Sequence, residues 1–293
     1  MTHDVIVIGG SYAGMAAALQ LLRARRKVLV IDEGLRRNRF ASHSNGFLTQ
    51  DGNDPAAIAA AARAQLAAYP ALTWIDARAE SATGERDAFT VTDATGAVRR
   101  GRRLLFAVGV SDTLPAVEGL ADRWGQSVFH CPYCHGYELG GGPIGVIAAS
   151  PMSLHQAQFL PEWGPTTFFP NDVLPLDAAA RADLAARGTT VEDRAIARIR
   201  DHATVELTDG TALPFAGLFT APRCTPASPL AETLGCATEE TPFGIQIARD
   251  GMKETTVPGA FACGDAASVP HSVSLAVGDG AMAGAMVHRS LVF

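Results

Sequence analysis

The first 32 residues constrain the fold of this chain most strongly. A short apolar strand at 4–8 leads into the glycine-containing turn 9–14 and an Ala- and Leu-rich helix, and a second apolar strand, 27–31, ends on Asp32. The order of strand, glycine turn, helix, strand and acidic residue is typical of a dinucleotide-binding βαβ unit. We therefore expect an α/β fold that begins with such a unit.

Four residues of this unit carry the expected ligand chemistry. Gly9 allows the tight turn, and Gly14 allows the helix to pack closely on the strand. A pyrophosphate would lie at the helix N-terminus, and Asp32 would accept hydrogen bonds from ribose hydroxyls. Ser11 stands where the motif has its middle glycine, so the match is imperfect, and an ordinary strand-to-helix turn is the alternative interpretation.

A redox motif is predicted in the middle of the chain. Cys131 and Cys134 are three residues apart and can close into a small disulfide ring, and His130 and His135 flank the pair. At the start of a helix, free backbone N–H groups would stabilise a thiolate, and a histidine can exchange a proton with a thiol near neutral pH. The motif alone does not fix the direction of electron flow.

Two other interpretations of the cysteine pair remain. A zinc site needs two more ligands, and no second closely spaced Cys or His pair is present, so we predict no metal. A structural disulfide is disfavoured because the sequence contains no export signal. Cys224, Cys236 and Cys263 are scattered and are predicted to be small buried apolar residues.

The composition excludes several classes of function. The chain has 293 residues, enough for two domains, with 47% apolar and 18% charged residues, as in globular proteins. A net charge of −6 offers no basic surface for nucleic acid. No apolar stretch approaches the ~18 residues of a membrane span. No targeting segment is recognisable, so a cytoplasmic location is expected.

A second unit of the same type is predicted around the cysteine pair and after it. Residues 143–148 and 166–169 read as strands, with a helix starting near Met152 between them. Residues 177–187 read as a helix capped by an aspartate and stopped by a glycine. This alternation repeats the βαβ pattern of the N-terminus and predicts a second Rossmann-like domain.

Short strands and one long helix complete the prediction. Arg103 to Val108 reads as a strand that ends at Gly109, and the last helix runs from about Val273 to the C-terminus. Gly264 and Asp265 follow another strand, where the aspartate can hydrogen-bond the ribityl chain or the phosphates of a flavin. The other predicted strands cover 72–77, 88–92, 97–102, 203–208 and 211–219.

Two basic positions are predicted to be solvated. The run Arg36 to Arg39 is interpreted as a solvent-exposed loop, with contact to the cofactor's phosphates as the alternative. His271, at the start of the last helix, is interpreted as a solvated residue, with a position near the flavin as the alternative.

These motifs, in this order and over the whole chain, resemble those of the low-molecular-weight thioredoxin reductases. The resemblance implies two Rossmann-like (three-layer ββα) dinucleotide-binding domains, the second inserted into the first. It implies an FAD-binding domain formed by 1–112 and 244–293, and an inserted NADPH-type domain, 113–243, that carries the cysteine pair. It also implies a homodimer. The residues expected to contact FAD are Gly9, Ser11, Gly14, Asp32, Gly109, Gly264 and Asp265.

The resemblance also implies distinct roles for the sulfurs, and the chain departs from it in two places. By position Cys134 would face the flavin and Cys131 would exchange with substrate. His135 stands where the family usually has a proton-donating aspartate. The turn expected to hold NADPH lacks glycines at 148–153, and the sequence 169–172, Phe-Pro-Asn-Asp, replaces an arginine pair. Asp172, the last residue of this sequence, could instead bind the ribose of NADH.

The cysteine run also resembles that of the flavin dithiol oxidases that close disulfides in gliotoxin-type and holomycin-type metabolites. The favoured function is therefore an FAD-dependent dithiol oxidase that passes electrons to oxygen, with His135 and His130 deprotonating the thiols. A disulfide reductase driven by NAD(P)H or another donor is the alternative, and a non-enzymatic redox sensor is a third. The substrate could be a small dithiol or disulfide, or a thioredoxin-like protein.

Overall fold

The structure, a computed structural model, describes Thr2–Phe293. The helices are α1 Tyr12–Arg23, α2 Pro55–Ala67, α3 Pro132–His135, α4 Met152–Phe159, α5 Ala178–Ala186, α6 Leu230–Leu234 and α7 Val273–Val292. The strands are β1 Thr2–Ile8, β2 Val28–Asp32, β3 Leu72–Asp76, β4 Ala79–Thr83, β5 Phe89–Asp93, β6 Val98–Phe106, β7 Val110–Thr113, β8 Val128–Phe129, β9 Ile144–Ile147, β10 Thr166–Phe169, β11 Thr189–Val191, β12 Ile196–Arg200, β13 Thr204–Leu207, β14 Ala212–Pro214, β15 Gly217–Thr220, β16 Arg223–Pro226, β17 Thr238–Thr241, β18 Gly244–Ile247 and β19 Ala260–Ala262.

The chain forms two compact units. The first contains the N-terminal segment through Arg37, Asp54–Ser111 and Cys224–Phe293, and the second contains Asn38–Asn53 and Asp112–Arg223. The α/β class with two Rossmann-like domains, the second inserted in sequence into the first, is confirmed. Residues 224–243, which the sequence assigned to the inserted domain, belong to the first unit, because β16 pairs with β18 there.

The first unit is built on a sheet of order β3-β2-β1-β6-β5-β4, with β19 also paired to β6. The strands β3, β2, β1, β6 and β19 run parallel, and β5 and β4 continue antiparallel from β6. Alternate residues of β1 face opposite layers: Val5 and Val7 pack with the helices, and Ile6 and Ile8 pack on the other face. This two-sided burial explains why β1 reads as a continuous apolar run.

A close helix pair covers one face of this sheet. A Cβ atom on Gly280 would lie 2.2 Å from the carbonyl oxygen of Ala13, and one on Gly284 would lie 2.5 Å from that of Ala17. Only glycine allows α7 to approach the backbone of α1 this closely. The last helix is therefore anchored on the first turns of α1.

The second unit contains a parallel sheet of order β11-β10-β9-β15-β8 and an antiparallel sheet of order β12-β13-β14. Ile144 and Val146 of β9 pack in one buried cluster with Ala157 of α4 and Leu184 of α5. The cysteine pair follows β8 directly, at an edge of the parallel sheet. No helix within the described residues is long and apolar enough to span a bilayer.

Candidate functional site

The N-terminal turn has the geometry that the sequence predicted for a phosphate-binding turn. Gly9 has φ +99°, and a Cβ atom on Gly14 would lie 1.9 Å from the carbonyl oxygen of Gly9. The backbone N–H of Gly10 donates to Oδ1 of Asp32 at 3.0 Å, which ties the turn to the end of β2. The turn therefore requires glycine at two positions, and the acidic residue Asp32 lies beside it at the end of β2.

The start of α1 is left open, and the second predicted glycine turn lies against it. Ser11 precedes the helix in an extended conformation, and its side chain makes no capping hydrogen bond. A Cβ atom on Gly264 would lie 2.7 Å from Cβ of Ala13, so the turn that carries Asp265 packs on the first turn of α1. Gly109 follows β6 with φ +67°. An open helix N-terminus of this kind favours an anion such as a diphosphate.

Arg37 joins three segments of the first unit. Its Nη1 lies 3.6 Å from Oδ2 of Asp265 and 3.1 Å from Nδ1 of His271, and its Nη2 lies 3.7 Å from Sγ of Cys224. Both the Arg37 and the Asp265 side chains are largely buried, at 17% and 21% exposure. The prediction that Arg37 and His271 are solvated is therefore wrong, because both belong to a partly buried polar cluster beside the Gly264–Asp265 turn.

An arginine can only donate, so Nδ1 of His271 is the acceptor in this contact. This hydrogen bond requires an unprotonated Nδ1. Phe243 packs against the same ring, with the two centroids 6.0 Å apart. His271 is thus held in one tautomer at the start of α7.

The cysteine pair forms a disulfide in the second unit, with its Cα atoms 5.3 Å apart. Cys131 occupies the N-cap position of the short helix α3, Pro132 is its first residue, and Cys134 lies within it. This is the helix-start placement predicted from the sequence. Within residues 2–293 no group of three or more His, Cys, Asp or Glu side chains is arranged to hold a metal ion.

The two flanking histidines have different surroundings. The ring of His135 stacks on Phe129 with centroids 4.2 Å apart, and burial lowers the pKa of His135 to about 4. His130 is half-buried, and its ring centroid lies 6.0 Å from that of Trp124. His135 is therefore a neutral imidazole at physiological pH and a weaker base than an ordinary histidine.

Sequence reasoning missed one further residue at the redox turn. Nδ2 of Asn45 donates to the carbonyl oxygen of Cys134 at 2.8 Å. Asn45 comes from the segment Asn38–Asn53, which belongs to the second unit although the residues before and after it belong to the first. No sequence pattern indicates this contact, because it depends on where a polar loop folds back.

The turn after β9 is closed by its own side chains. Oγ of Ser153 accepts from the backbone N–H groups of Ala149 and Ser150 at 2.9 and 3.3 Å, and Oγ of Ser150 donates to the carbonyl of Ala221 at 2.8 Å. Pro151, at the N-cap of α4, has no N–H group. These residues fit a pyridine nucleotide poorly, because two of the backbone donors near the start of α4 are already occupied and Pro151 supplies none.

An open dinucleotide turn in one Rossmann-like unit and a Cys-x-x-Cys disulfide in the other together define a flavin-dependent disulfide oxidoreductase. The profile of the pyridine nucleotide-disulphide oxidoreductase family matches residues 3–280, and the chain belongs to that family. The family implies a flavin, and the first unit fits one: Gly9, Gly14 and the uncapped start of α1 would hold the diphosphate, and Asp32 the ribose.

Individual relatives confirm the resemblance to thioredoxin reductases. Thioredoxin reductase aclD of Aspergillus oryzae is 33% identical and aligns with 99% of this chain and 96% of its own length. Thioredoxin reductase sirT of Leptosphaeria maculans is 30% identical, with 97% and 93% covered. The oxidoreductase from Agrobacterium tumefaciens, known from a crystal structure, is 55% identical to this chain. The two structures superpose with a TM-score of 0.97 over 100% of this chain and 99% of the Agrobacterium chain.

Proposed function

We propose that the protein is an FAD-dependent dithiol oxidase. Electrons pass from a substrate dithiol through Cys131 and Cys134 to FAD, and then to dioxygen. FAD, when bound, accepts the electron pair of the reduced cysteines and transfers it to oxygen, giving hydrogen peroxide. The relatives are named reductases. The proposed oxidase activity differs from a reductase activity only in the direction of electron flow.

One observation carries the direction of electron flow. The turn at 148–153, where a pyridine nucleotide would bind, is closed by the Ser153 hydroxyl, and the side chain of Ser153 is fully buried. Opening the turn would leave that hydroxyl buried without a partner, which costs about 1–3 kcal/mol. A diphosphate therefore has to displace an existing hydrogen-bond network before it gains any contact.

The residues after β10 argue in the same direction. Phe169 ends the strand, and Asn171 and Asp172 follow with positive φ angles, in place of the arginine pair that the resemblance implies. Asp172 is exposed and would repel a 2′-phosphate. Two lost charge-assisted hydrogen bonds of about 1.5–3 kcal/mol each would weaken NADPH binding roughly a hundredfold or more.

The exchange chemistry needs only the cysteine pair and the substrate. A substrate thiolate attacks Sγ of Cys131, the Cys131–Cys134 bond breaks, and Cys134 leaves as a thiolate. The second substrate thiolate then attacks the substrate sulfur of the mixed disulfide and releases Cys131. The substrate is oxidised by two electrons, the cysteine pair is reduced by two electrons, and the two thiol protons are released.

The burial of His135 changes the role proposed for it. A thiol with a pKa of ~8.5 is more than four units less acidic than protonated His135, whose pKa is about 4, so proton transfer from the thiol to His135 costs roughly 6 kcal/mol. As a neutral imidazole His135 can donate one N–H hydrogen bond to a thiolate but cannot take the proton of the thiol. His130 remains the candidate for the initial proton acceptor.

The proposal is tested by asking which compound reduces the bound flavin. Under anaerobic conditions a dithiol should bleach the flavin absorbance, and admission of air should restore it with one peroxide formed per disulfide. The Cys131→Ser variant is the control and should not be bleached. A flavin that no dithiol reduces, or that NADPH at micromolar concentration reduces stoichiometrically, would refute the oxidase.

A disulfide reductase is the second candidate, favoured by the name thioredoxin reductase that the relatives carry. Electrons would then pass through the same cysteines in the opposite direction and would enter from NAD(P)H or from another donor. Flavin reduction by NADH alone would support this alternative. A homodimer and a cytoplasmic location are also proposed from the resemblance, and light scattering and cell fractionation test them.

A further inference from the structure

A partly buried charged trio, formed by Arg249, Lys253 and Asp279, holds the turn that carries Asp265. Oδ1 of Asp279 accepts from Nη2 of Arg249 and from Nζ of Lys253, both at 2.9 Å. Oδ2 of Asp279 accepts from Nη1 of Arg249 at 3.1 Å and from the backbone N–H of Gly264 at 2.8 Å. One carboxylate on α7 therefore fixes the first residue of the Gly264–Ala266 turn.

Arg249 donates hydrogen bonds to the backbone before and after the same turn. Its Nη1 also donates to the carbonyl oxygen of Ala262 at 3.0 Å, just before the turn, and its Nε donates to that of Ala267 at 2.9 Å, just after it. The side chains of Arg249 and Asp279 are only 9% and 11% exposed. The turn is thus bracketed by donors of a single guanidinium, whose planar shape fixes their relative directions.

The charged trio also lies next to the contact between α7 and α1. Asp279 directly precedes Gly280, whose Cα lies so close to α1 that a Cβ atom there would be 2.2 Å from the carbonyl oxygen of Ala13. Gly264 also contacts this residue: a Cβ atom on Gly264 would lie 2.7 Å from Cβ of Ala13. The trio therefore sets the position of the Asp265 turn relative to the helix N-terminus proposed to hold the diphosphate.

The charges within the trio do not balance. Burial alone would raise the pKa of Asp279, but the hydrogen bonds from Arg249 and Lys253 outweigh it and hold the pKa below its ordinary range, so the carboxylate stays ionised. Two cations against one anion leave an excess of one positive charge.

We propose that Asp279 and Arg249 are positioning residues for the flavin, which hold the Gly264–Asp265 turn in its binding geometry. The excess charge of Lys253 favours the anionic diphosphate on the same side of the unit. This inference rests on the FAD site of the proposed function and is independent of the direction of electron flow. Failure of the oxidase assay would leave it standing.

The test measures FAD affinity of the apoprotein by fluorescence titration. Asp279→Asn keeps the size of the side chain but leaves one acceptor oxygen for the donors of Arg249, Lys253 and Gly264, so the turn is no longer held. This loss outweighs the added positive charge, and FAD should bind about tenfold or more weakly. Asp279→Glu restores the charge and should recover part of the affinity. The matched control is Asp183→Asn on α5, which breaks an exposed pair with Arg187 in the other unit and should leave FAD affinity unchanged.

A merely structural role predicts a different pattern of results. It would lower the melting temperature of the apoprotein and holoprotein equally and leave the dissociation constant for FAD unchanged, and that outcome would overturn the proposal. If Asp279→Asn does not fold, Arg249→Lys decides, because a lysine can still pair with Asp279 but cannot also donate to the carbonyl oxygens of Ala262 and Ala267. FAD binding that is weakened about two- to fivefold would support the proposal, and unchanged binding would refute it.

Discussion

Lowering the pH should destabilise the protein through His135, by an amount that follows from its burial. The ring stacks on Phe129, and its pKa is lowered from 6.5 to about 4. The unfolded chain therefore binds a proton at His135 before the folded chain does. Stability from this residue is complete above pH ~6.5 and is lost as the pH falls toward ~4. A gap of roughly 2.5 units at 1.36 kcal/mol per unit gives about 3 kcal/mol.

Urea unfolding at several pH values between about 7 and 4.5 measures this loss. The His135→Gln variant cannot bind the proton, so its free energy of unfolding should fall less than that of the wild type, by about 2–3 kcal/mol over this interval. His3, whose pKa is also lowered by burial, contributes equally to both proteins. The exposed His155→Gln is the control and should behave as wild type. Parallel curves for wild type and His135→Gln would refute the reasoning.

Three further predictions concern the site. Cys131→Ser should reduce peroxide formation from dithiols to background without changing flavin content, and retained turnover would show that another group is the nucleophile. Gly14→Ala would place a Cβ atom 1.9 Å from the carbonyl oxygen of Gly9, so the protein should purify without flavin; a yellow preparation would contradict this. Phe129→Ala should expose His135 and raise its pKa toward 6.5, as followed by a titration of the imidazole signals by NMR, and an unchanged value would show that the stack does not cause the shift.

The parts of the fold that the sequence predicted are those set by local constraints. The strand 166–169 agrees with the structure at both ends, and the helix predicted at 177–187 is observed at Ala178–Ala186. The side chain of Asp177 caps this helix by accepting from the N–H of Ala180, and Gly188 follows it with φ +83°. Caps and glycine stops involve neighbouring residues only, so they can be read without tertiary information.

The errors occur where a distant partner decides the structure. The predicted strands 97–102 and 103–108 are one strand, β6, because its first half pairs with β5 and its second half with β19. The predicted strand 211–219 is instead two strands that pair in different sheets. β4 was missed because its sequence, Ala-Glu-Ser-Ala-Thr, has little strand propensity and is held by its pairing with β5.

The candidate site shows the same division. The cysteine pair and the glycine turn could be predicted, because their chemistry depends on residues close in sequence. Arg37 and His271 are 234 positions apart, and nothing in either local sequence distinguishes a partner from a solvated side chain. The shift of the His135 pKa also depends on a tertiary contact, the stack on Phe129, since His135 is otherwise only the last residue of the short helix α3.

The two nucleotide turns of the chain can be compared directly, since both connect a parallel strand to a helix. At α1 the residue before the helix is Ser11, whose hydroxyl makes no capping bond, so the helix N-terminus can receive an anion. At α4 the equivalent space is filled by the hydroxyl of Ser153, and Pro151 removes a donor. A protein that kept both turns open could pass electrons from a pyridine nucleotide to sulfur. With only the first open, the Cys131–Cys134 pair is the group through which we propose that a substrate exchanges electrons with a flavin, and this difference between the turns is the basis of the proposed oxidase direction.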